Sequence, residues 1–166
     1  EVRDDDYDLQ LITWKEVFAT QSRTVGNYWT QGGALMPENR IVLNALDASR
    51  LGLRQGDLAK LVSRSNPDGV WDLGHGRKQE MIGAIQIIQG IRPGVVGVSF
   101  HYGHWAYGAS SIVVDGATIE ADPRRSRGLN PNAAMRADGA VKGVCLTDPI
   151  GGSASFYDTR VRVERL

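Results

Sequence analysis

The most constraining feature of the sequence is one segment, NRIVLNALDASRLGLRQGDLAKLVSR, which spans residues 39–64. Its apolar run at Arg40–Asn44 predicts a strand, and Asp47 is placed to cap the N-terminus of a short helix over Ala48–Leu51. Gly52 can end that helix in the left-handed conformation, after which Asp57–Arg64 predicts a second strand. A helix this short between two strands is typical of a small barrel, in which it bridges two of the strands.

Short apolar runs separated by turn signals fill most of the remaining sequence. Glycine contributes 20 of the 166 residues, well above its usual share of about 7%. Asp115-Gly116 lies between apolar runs, which predicts a hairpin. Further strands are predicted at Leu9–Trp14, Glu80–Gln89, Val95–Phe100 and in the closing run FYDTRVRVERL. We therefore expect a single mainly β domain over residues 1–166, with short helices and a barrel architecture.

Charge and composition disfavour several classes of protein. Lys plus Arg and Asp plus Glu each number 19, and this balance argues against a general nucleic-acid-binding protein. No apolar run reaches the roughly 18 residues that a transmembrane helix needs, so direct membrane insertion is not expected. The single cysteine, Cys145, cannot form a disulfide within the chain, and its apolar setting predicts a buried side chain. The sequence begins without Met or a signal peptide, so we expect a piece of a longer or processed protein.

The segment SFHYGHWAYGAS, residues 99–110, is the strongest candidate for chemistry because it holds two of the three histidines. His101 and His104 have HxxH spacing, which would suit a metal on a helix. Glycines and strand-forming residues surround them, however, and residues three apart on a strand point to opposite faces. A third metal ligand is also missing from the pattern. The residues alone leave three interpretations open: a metal site, neutral imidazoles hydrogen-bonded at a pocket wall, and simple structural burial.

Two other clusters have open interpretations. Arg124, Arg125 and Arg127 could bind phosphate through their guanidinium groups or form a solvated basic loop. The polar segment TQSRTVGNYWTQGG, residues 20–33, suits a ligand rich in hydrogen-bond donors and acceptors. A serine hydrolase is disfavoured because no GxSxG motif is present.

Taken in order, five segments resemble one family. They are LITWKEVFATQSRT, the strand–helix–strand segment above, GIRPGVVGVSFHYGHW, LNPNAAM and DPIGGSASFYDTRVRVER, and together they span nearly the whole chain. The chain resembles the C-terminal molybdopterin-guanine-dinucleotide-binding domain of the dimethyl sulfoxide reductase superfamily of molybdenum and tungsten oxidoreductases. It looks most like the tetrathionate and arsenate reductase catalytic subunits. The resemblance implies a double-psi β-barrel.

The resemblance also implies a cofactor and contacts to it. In the family, this domain covers a bis-molybdopterin guanine dinucleotide (bis-MGD) cofactor that carries Mo or W, and the protein ligand of the metal lies in an earlier domain. We therefore expect no catalytic residue or metal ligand in this chain, and no catalysis by the domain alone. Asn130 and Asn132 are alternatives within one matching element, and Tyr157 and Asp158 within another. The predicted cofactor contacts are Thr13, Lys15, Gln21, Ser22, Arg23, Thr24, His101, His104, Trp105, Asn130, Asn132, Tyr157 and Asp158.

The function that the resemblance implies is cofactor binding within a bis-pterin oxidoreductase that acts on an inorganic oxyanion or sulfur compound. The expected partners are an iron–sulfur electron-transfer subunit and the other domains of the same catalytic subunit, and the full-length enzyme is expected outside the cytoplasm. Asn44 and Asp47 match the family signature, but their positions favour structural roles. The alternative from another class is a free-standing double-psi barrel that acts as a binding or adaptor module without redox chemistry.

Overall fold

The computed structural model describes residues 6–19, 27, 29, 38–74, 76–105, 108–139, 144–155 and 157–166. The strands are β1 (Leu9–Trp14), β2 (Arg40–Asn44), β3 (Leu58–Ser63), β4 (Val70–Gly74), β5 (Arg77–Glu80), β6 (Ile82–Ile88), β7 (Val95–Ser99), β8 (Ile112–Val114), β9 (Ala117–Ile119) and β10 (Arg160–Arg165). A short α-helix, α1, spans Ala45–Arg50, and two 3-10 helices span Pro123–Ser126 and Pro131–Ala134.

Six of the strands close into a barrel in the order β1-β10-β3-β6-β2-β7. β1 runs parallel to β7 and β2 runs parallel to β6, whereas the other neighbouring pairs are antiparallel. β1, β3 and β7 therefore finish at the same end of the barrel, where β2, β6 and β10 begin. We call this end the loop end, and the opposite end, which carries α1, the helix end.

The strand order interlocks two connected pairs of strands. β6 lies between β2 and β3, although β2 and β3 are joined through α1. β2 in turn lies between β6 and β7, which are joined by the turn at residues 89–94. Each pair thus encloses a strand of the other, as in a double-psi barrel. The mainly β fold and the double-psi barrel expected from the sequence are confirmed.

Apolar side chains from alternate strand positions fill the barrel interior. Leu9 and Leu11 of β1 are fully buried, as are Val96 and Val98 of the neighbouring strand β7, because side chains two apart on a strand share a face. Thr13 follows Leu9 and Leu11 on that same face of β1. It therefore lies where the interior meets the loop end.

The N-terminal cap of α1 is Asn44 rather than Asp47. The Asn44 side chain accepts a hydrogen bond from the Leu46 N–H (2.9 Å) and donates one to the Ile91 carbonyl (2.7 Å). Asp47 lies within the first turn, where its carboxylate accepts from the Gly94 N–H (2.7 Å). The predicted Asp47 cap was therefore wrong, because Asn44 provides an earlier cap that also ties α1 to the turn before β7. Both residues act structurally at the helix end, as their positions suggested.

Within the described residues, two hairpins lie outside the barrel. The hairpin predicted at Asp115-Gly116 is present as β8 and β9, with both turn residues at positive φ (50° and 78°). The hairpin of β4 and β5 was not predicted, since β5 has the sequence RKQE and carries no apolar residue. Gln79 of β5 donates to the carbonyls of Ser126 (3.2 Å) and Gly128 (2.9 Å). These bonds fasten the β4–β5 hairpin to the loop that leads back to the barrel.

Candidate functional site

The loop end of the barrel collects the residues that the sequence singled out. Each predicted contact that the structure describes lies in a segment that leaves or enters the barrel at this end. They are Thr13 and Lys15 at the end of β1, His101, His104 and Trp105 after β7, Asn130 and Asn132 in the returning loop, and Tyr157 and Asp158 before β10. The other four predicted contacts, Gln21, Ser22, Arg23 and Thr24, lie outside the described residues.

Asn39 fastens two of these segments together immediately before β2. Its side-chain amide donates to the carbonyls of Ser99 (2.7 Å) and Leu129 (2.8 Å), and its side-chain oxygen accepts from the Leu129 N–H (2.9 Å). Asn39 is only 1% exposed, so water does not compete for these bonds. The residue thereby fixes the end of β7 against the loop that carries Asn130.

Two glycines allow the same segments to approach closely. Gly103 has a φ of 71°, and a Cβ there would lie 2.6 Å from the Asn130 backbone nitrogen. Gly128 has a φ of 82°, and a Cβ there would lie 2.5 Å from the Asn39 side-chain oxygen. The Gly103 N–H also donates to the Arg127 carbonyl (2.9 Å). Both positions therefore require glycine for backbone conformation and for space.

His101 has a backbone conformation that is rare for a residue with a side chain. Its φ is 102° and it is 2% exposed, with its ring centroid 4.3 Å from that of Phe100. Such strain costs roughly 1–3 kcal/mol and is often found at functional sites.

Burial, and after it the neighbouring His101, lowers the pKa of His104 below its usual value of 6.5. His104 is therefore neutral at neutral pH.

Tyr102, between the two histidines, is also buried. Burial, and after it the Glu16 carboxylate, raises the pKa of Tyr102 to about 12. Glu16 accepts a hydrogen bond from the Trp14 indole nitrogen (3.1 Å), and the Trp14 carbonyl accepts from the Phe100 N–H (3.1 Å). The segments that follow β1 and β7 are thus joined by hydrogen bonds and by electrostatic interaction, and the Tyr102 phenol stays protonated at physiological pH.

Ser99 Oγ and His104 Nε2 are buried polar atoms at the loop end that have no hydrogen-bond partner among the described residues. Buried polar atoms in proteins are nearly always hydrogen-bonded. A neutral imidazole nitrogen either donates or accepts, depending on its tautomer. The loop end therefore retains hydrogen-bonding capacity, as a site for a polar ligand requires.

The two alternative asparagines have different environments. Asn130 is 5% exposed, and its side-chain oxygen accepts from the Asn132 N–H (3.1 Å), which caps the second 3-10 helix. The Asn132 side chain is exposed. The Arg136 N–H donates to Thr159 Oγ1 (2.8 Å), which joins this loop to the start of β10. Asn132 is thus better placed to reach a ligand, whereas Asn130 shapes the loop.

The exposed candidates form the outer part of the site. Tyr157 is 61% exposed and Trp105 is 49% exposed, and Lys15 and Asp158 are also exposed. The Gln10 side chain donates to the Tyr157 carbonyl, which holds this segment beside β1. Two aromatic rings, a cation and a carboxylate are thus accessible at the same end of the barrel as the two histidines.

The remaining candidates from the sequence are the arginine cluster and Cys145. Arg124 forms a bidentate ion pair with Asp122 (2.9 and 2.8 Å), and Arg125 lies 3.8 Å from the same carboxylate. Asp122 therefore offsets part of the positive charge that this cluster would need to bind phosphate. Cys145 is exposed, so the prediction of burial was wrong; its segment meets Ala137 through an isolated bridge and does not enter the barrel.

Within the described residues, no group of three or more His, Cys, Asp or Glu side chains is arranged to hold a metal ion. Nor is any helix of this part of the chain long and apolar enough to cross a membrane.

Comparison with known proteins gives long matches to larger reductase subunits, although no family profile matches the chain. The chain is 49% identical over 162 residues to a selenate reductase subunit of Mesobacillus selenatarsenatis, covering 98% of this chain and 15% of that protein. A tetrathionate reductase subunit of Salmonella typhimurium is 28% identical, over 78% of this chain and 12% of that protein. The arsenate respiratory reductase molybdopterin-containing subunit of Shewanella sp. is 27% identical, over 97% of this chain and 16% of that protein. The chain belongs to the dimethyl sulfoxide reductase superfamily.

Solved structures agree with the superfamily fold. Acetylene hydratase from Pelobacter acetylenicus matches with a TM-score of 0.64 at 12% identity, over 98% of this chain and 19% of that chain. At this low identity the likeness shows the fold alone. The resemblance to the tetrathionate and arsenate reductase branch is confirmed by the relatives, and the chain spans 12–16% of the length of those relatives.

The superfamily resemblance indicated segments that the barrel brings to one end, but sequence reasoning missed residues that shape this end. Asn39, Glu16 and Ser99 were not among the predicted contacts. Asn39 stands directly before a predicted strand, where a side-chain amide can bond to a neighbouring segment, and this was the available signal. Its partners lie 60 and 90 residues away, a distance that no local pattern reveals.

Proposed function

We propose that this chain binds molybdopterin guanine dinucleotide within a bis-pterin molybdenum or tungsten oxidoreductase that acts on an inorganic oxyanion or sulfur compound. The proposal is carried by one observation: the described contact candidates assemble at the loop end of one barrel. The relatives are named for selenate, tetrathionate and arsenate, and one is named as containing molybdopterin. These names support the substrate class and the pterin part of the cofactor.

The side chains at the loop end fit the chemistry of such a cofactor. Pterin and guanine rings present donors and acceptors along their edges, which the Asn132 amide and the Asp158 carboxylate can pair. The exposed Trp105 indole offers a flat apolar face to a ring, and Lys15 offers a cation to the diphosphate. When bound, the cofactor and its metal supply the redox chemistry, whereas the protein orients the cofactor and tunes its surroundings.

His104 has a specific part in this proposal. Its lowered pKa keeps the ring neutral, and its Nε2 is buried without a partner in the described part of the chain. A neutral imidazole can hydrogen-bond a ring nitrogen of the ligand without adding a charge. His101, held at a φ of 102°, sets the direction in which this segment leaves β7. Both histidines thus orient the ligand, with the metal held elsewhere.

The activity belongs to a larger assembly, since the chain matches 12–16% of the length of its relatives. Other domains of the same polypeptide complete the pocket and carry the protein ligand of the metal. An iron–sulfur subunit exchanges electrons with the cofactor. The chain itself contributes binding and orientation.

The test is made on the complete subunit that contains this chain, produced in a host that synthesises the cofactor. Acid hydrolysis of the purified subunit should release guanosine monophosphate together with the metal. Asn132→Ala and Asp158→Asn should each lower cofactor affinity about fivefold, since a lost hydrogen bond is worth about 1 kcal/mol. Gln89→Ala is the matched control, because Gln89 is an exposed polar residue at the helix end.

Two results would refute the proposal. One is a metal-loaded subunit that releases no guanine nucleotide. The other is a loss of cofactor in Gln89→Ala equal to that in Asn132→Ala, which would show that the loop end has no special part in binding. Unchanged circular dichroism in all variants excludes unfolding as the cause.

A further inference from the structure

The hairpin of β8 and β9 presents an apolar face that the described part of the chain leaves open to solvent. Ile112 pairs with Ile119 and Val114 pairs with Ala117, and cross-strand partners share a face of the ladder. Ile112 and Ile119 are each 54% exposed and Val114 is 45% exposed. These four apolar side chains form one exposed surface, which we call the hairpin face.

The hairpin is a formed structure rather than an irregular loop. Asp115 and Gly116 have φ values of 50° and 78°, as the tight turn between two twisted strands requires. At the base, the Ser111 hydroxyl accepts from the Ala121 N–H (3.0 Å) and bonds to the Glu120 carboxylate (3.1 Å). A two-stranded hairpin is marginally stable alone in water. A hairpin held at its base with an apolar face is therefore suited to burial against another surface.

The position of the hairpin in the chain connects it with the candidate site. It lies in the excursion that leaves β7 with His101 and His104 and returns with Asn130. Near its base, the Ser110 hydroxyl donates to the Trp105 carbonyl (2.6 Å). A surface that covers the hairpin face would therefore also restrain the segment at the loop end that carries Trp105.

We infer that the hairpin face docks onto another domain of the same polypeptide and helps to hold the candidate cofactor site closed. The inference rests on the proposed function, in which the chain is one domain of a larger subunit. The size of the relatives identifies the occupant. The matches cover 78–98% of this chain but only 12–16% of the length of each relative. Most of each relative's polypeptide is thus available to cover the hairpin. The covering surface should be apolar, with a cation opposite the exposed Asp115 at the tip.

Cysteine labelling of the complete subunit tests the inference. Ile119→Cys reports on the hairpin face, and Val113→Cys, on the opposite side of the ladder, is the matched control. A maleimide reagent is used, and peptide mass spectrometry reads each position separately from other cysteines. Ile119→Cys should react about tenfold or more slower in the native subunit than in urea, as for groups reached only by local opening. Val113→Cys should react nearly as fast as in urea.

The conditions of labelling distinguish the occupants. Slow labelling of Ile119→Cys in the purified monomeric subunit supports docking within the subunit. Slow labelling that requires dimerisation, or the addition of a second subunit, overturns the inference in favour of a second copy or another chain. Fast labelling under all conditions also overturns it. Guanine nucleotide content measured on the same preparation tests the proposed function separately, so that either idea can fail while the other stands.

Discussion

Replacing Asn39 by alanine tests whether a buried side chain, rather than a surface contact, holds the candidate site together. The substitution removes hydrogen bonds to the carbonyls of Ser99 (2.7 Å) and Leu129 (2.8 Å) and from the Leu129 N–H (2.9 Å). Asn39 is 1% exposed and Leu129 is fully buried. Water therefore cannot replace the lost amide unless the loop end opens.

The magnitude follows from these three bonds. A buried hydrogen bond contributes about 1 kcal/mol net, and a buried group left without a partner costs roughly 1–3 kcal/mol. Because the cavity relaxes in part, Asn39→Ala should lower the free energy of unfolding by about 3–5 kcal/mol, against a typical total of roughly 5–15 kcal/mol. Asn39→Asp should lower the free energy of unfolding at least as much. Its carboxylate can still accept from the Leu129 N–H, but it places an oxygen against the carbonyls of Ser99 and Leu129.

Urea unfolding followed by tryptophan fluorescence measures the change, and hydrogen exchange at the Leu129 amide locates it. Asn132→Ala, at an exposed position in the same loop, is the control and should stay within about 0.5 kcal/mol of the parent. A loss below about 1 kcal/mol for Asn39→Ala, with the Leu129 amide still protected, would refute the reasoning. It would show that other groups hold the two segments together.

Three further predictions concern the same region. Gly128→Ala should lower the free energy of unfolding by about 2 kcal/mol more than Gly116→Ala. The two φ values are alike (82° and 78°), but of the two positions only Gly128 has a neighbour within 4 Å of the added Cβ. Equal losses in urea unfolding would contradict this prediction. The pKa of His104, measured by NMR, should lie below 6.5. The unfolded state then takes up the proton first as the pH falls, so the free energy of unfolding should decrease as the pH drops through 6.5. A pKa at or above 6.5 would count against the prediction. Glu16→Gln should lower the pKa of Tyr102 from about 12 in ultraviolet titration, yet leave it above its ordinary value because burial remains; no change would remove Glu16 as a cause.

The strands were predictable because their signal is local. Leu9–Trp14 is a strand with the predicted bounds, since alternating apolar residues suffice to specify one buried face. The start of α1 was not predictable in the same way, because Asn44 and Asp47 are both good capping residues. The choice depends on the bond from Asn44 to the Ile91 carbonyl, which forms only once the turn before β7 is in place.

The candidate site was predictable in location but not in construction. The resemblance to a family placed its contacts in segments that the barrel topology then brings to one end. It did not indicate that Asn130 turns its side-chain oxygen to the Asn132 N–H, nor that His101 adopts a φ of 102°. The Asn130 cap is a local feature that the Asn130-Pro131 pair could have indicated. The conformation of His101 has no such local signal.

The residues of the loop end therefore divide by what their loss should affect. Asn39 and Gly128 are packed against each other, and a Cβ at Gly128 would lie 2.5 Å from the Asn39 side-chain oxygen. Substitution of either should lower stability and cofactor binding together, because the frame of the site moves. Asn132 and Asp158 are exposed, so their substitution should lower binding while the free energy of unfolding stays nearly constant. If both groups of variants lost binding only in proportion to stability, the exposed side chains would have no direct contact with the ligand, and the loop end would be a scaffold rather than a binding surface.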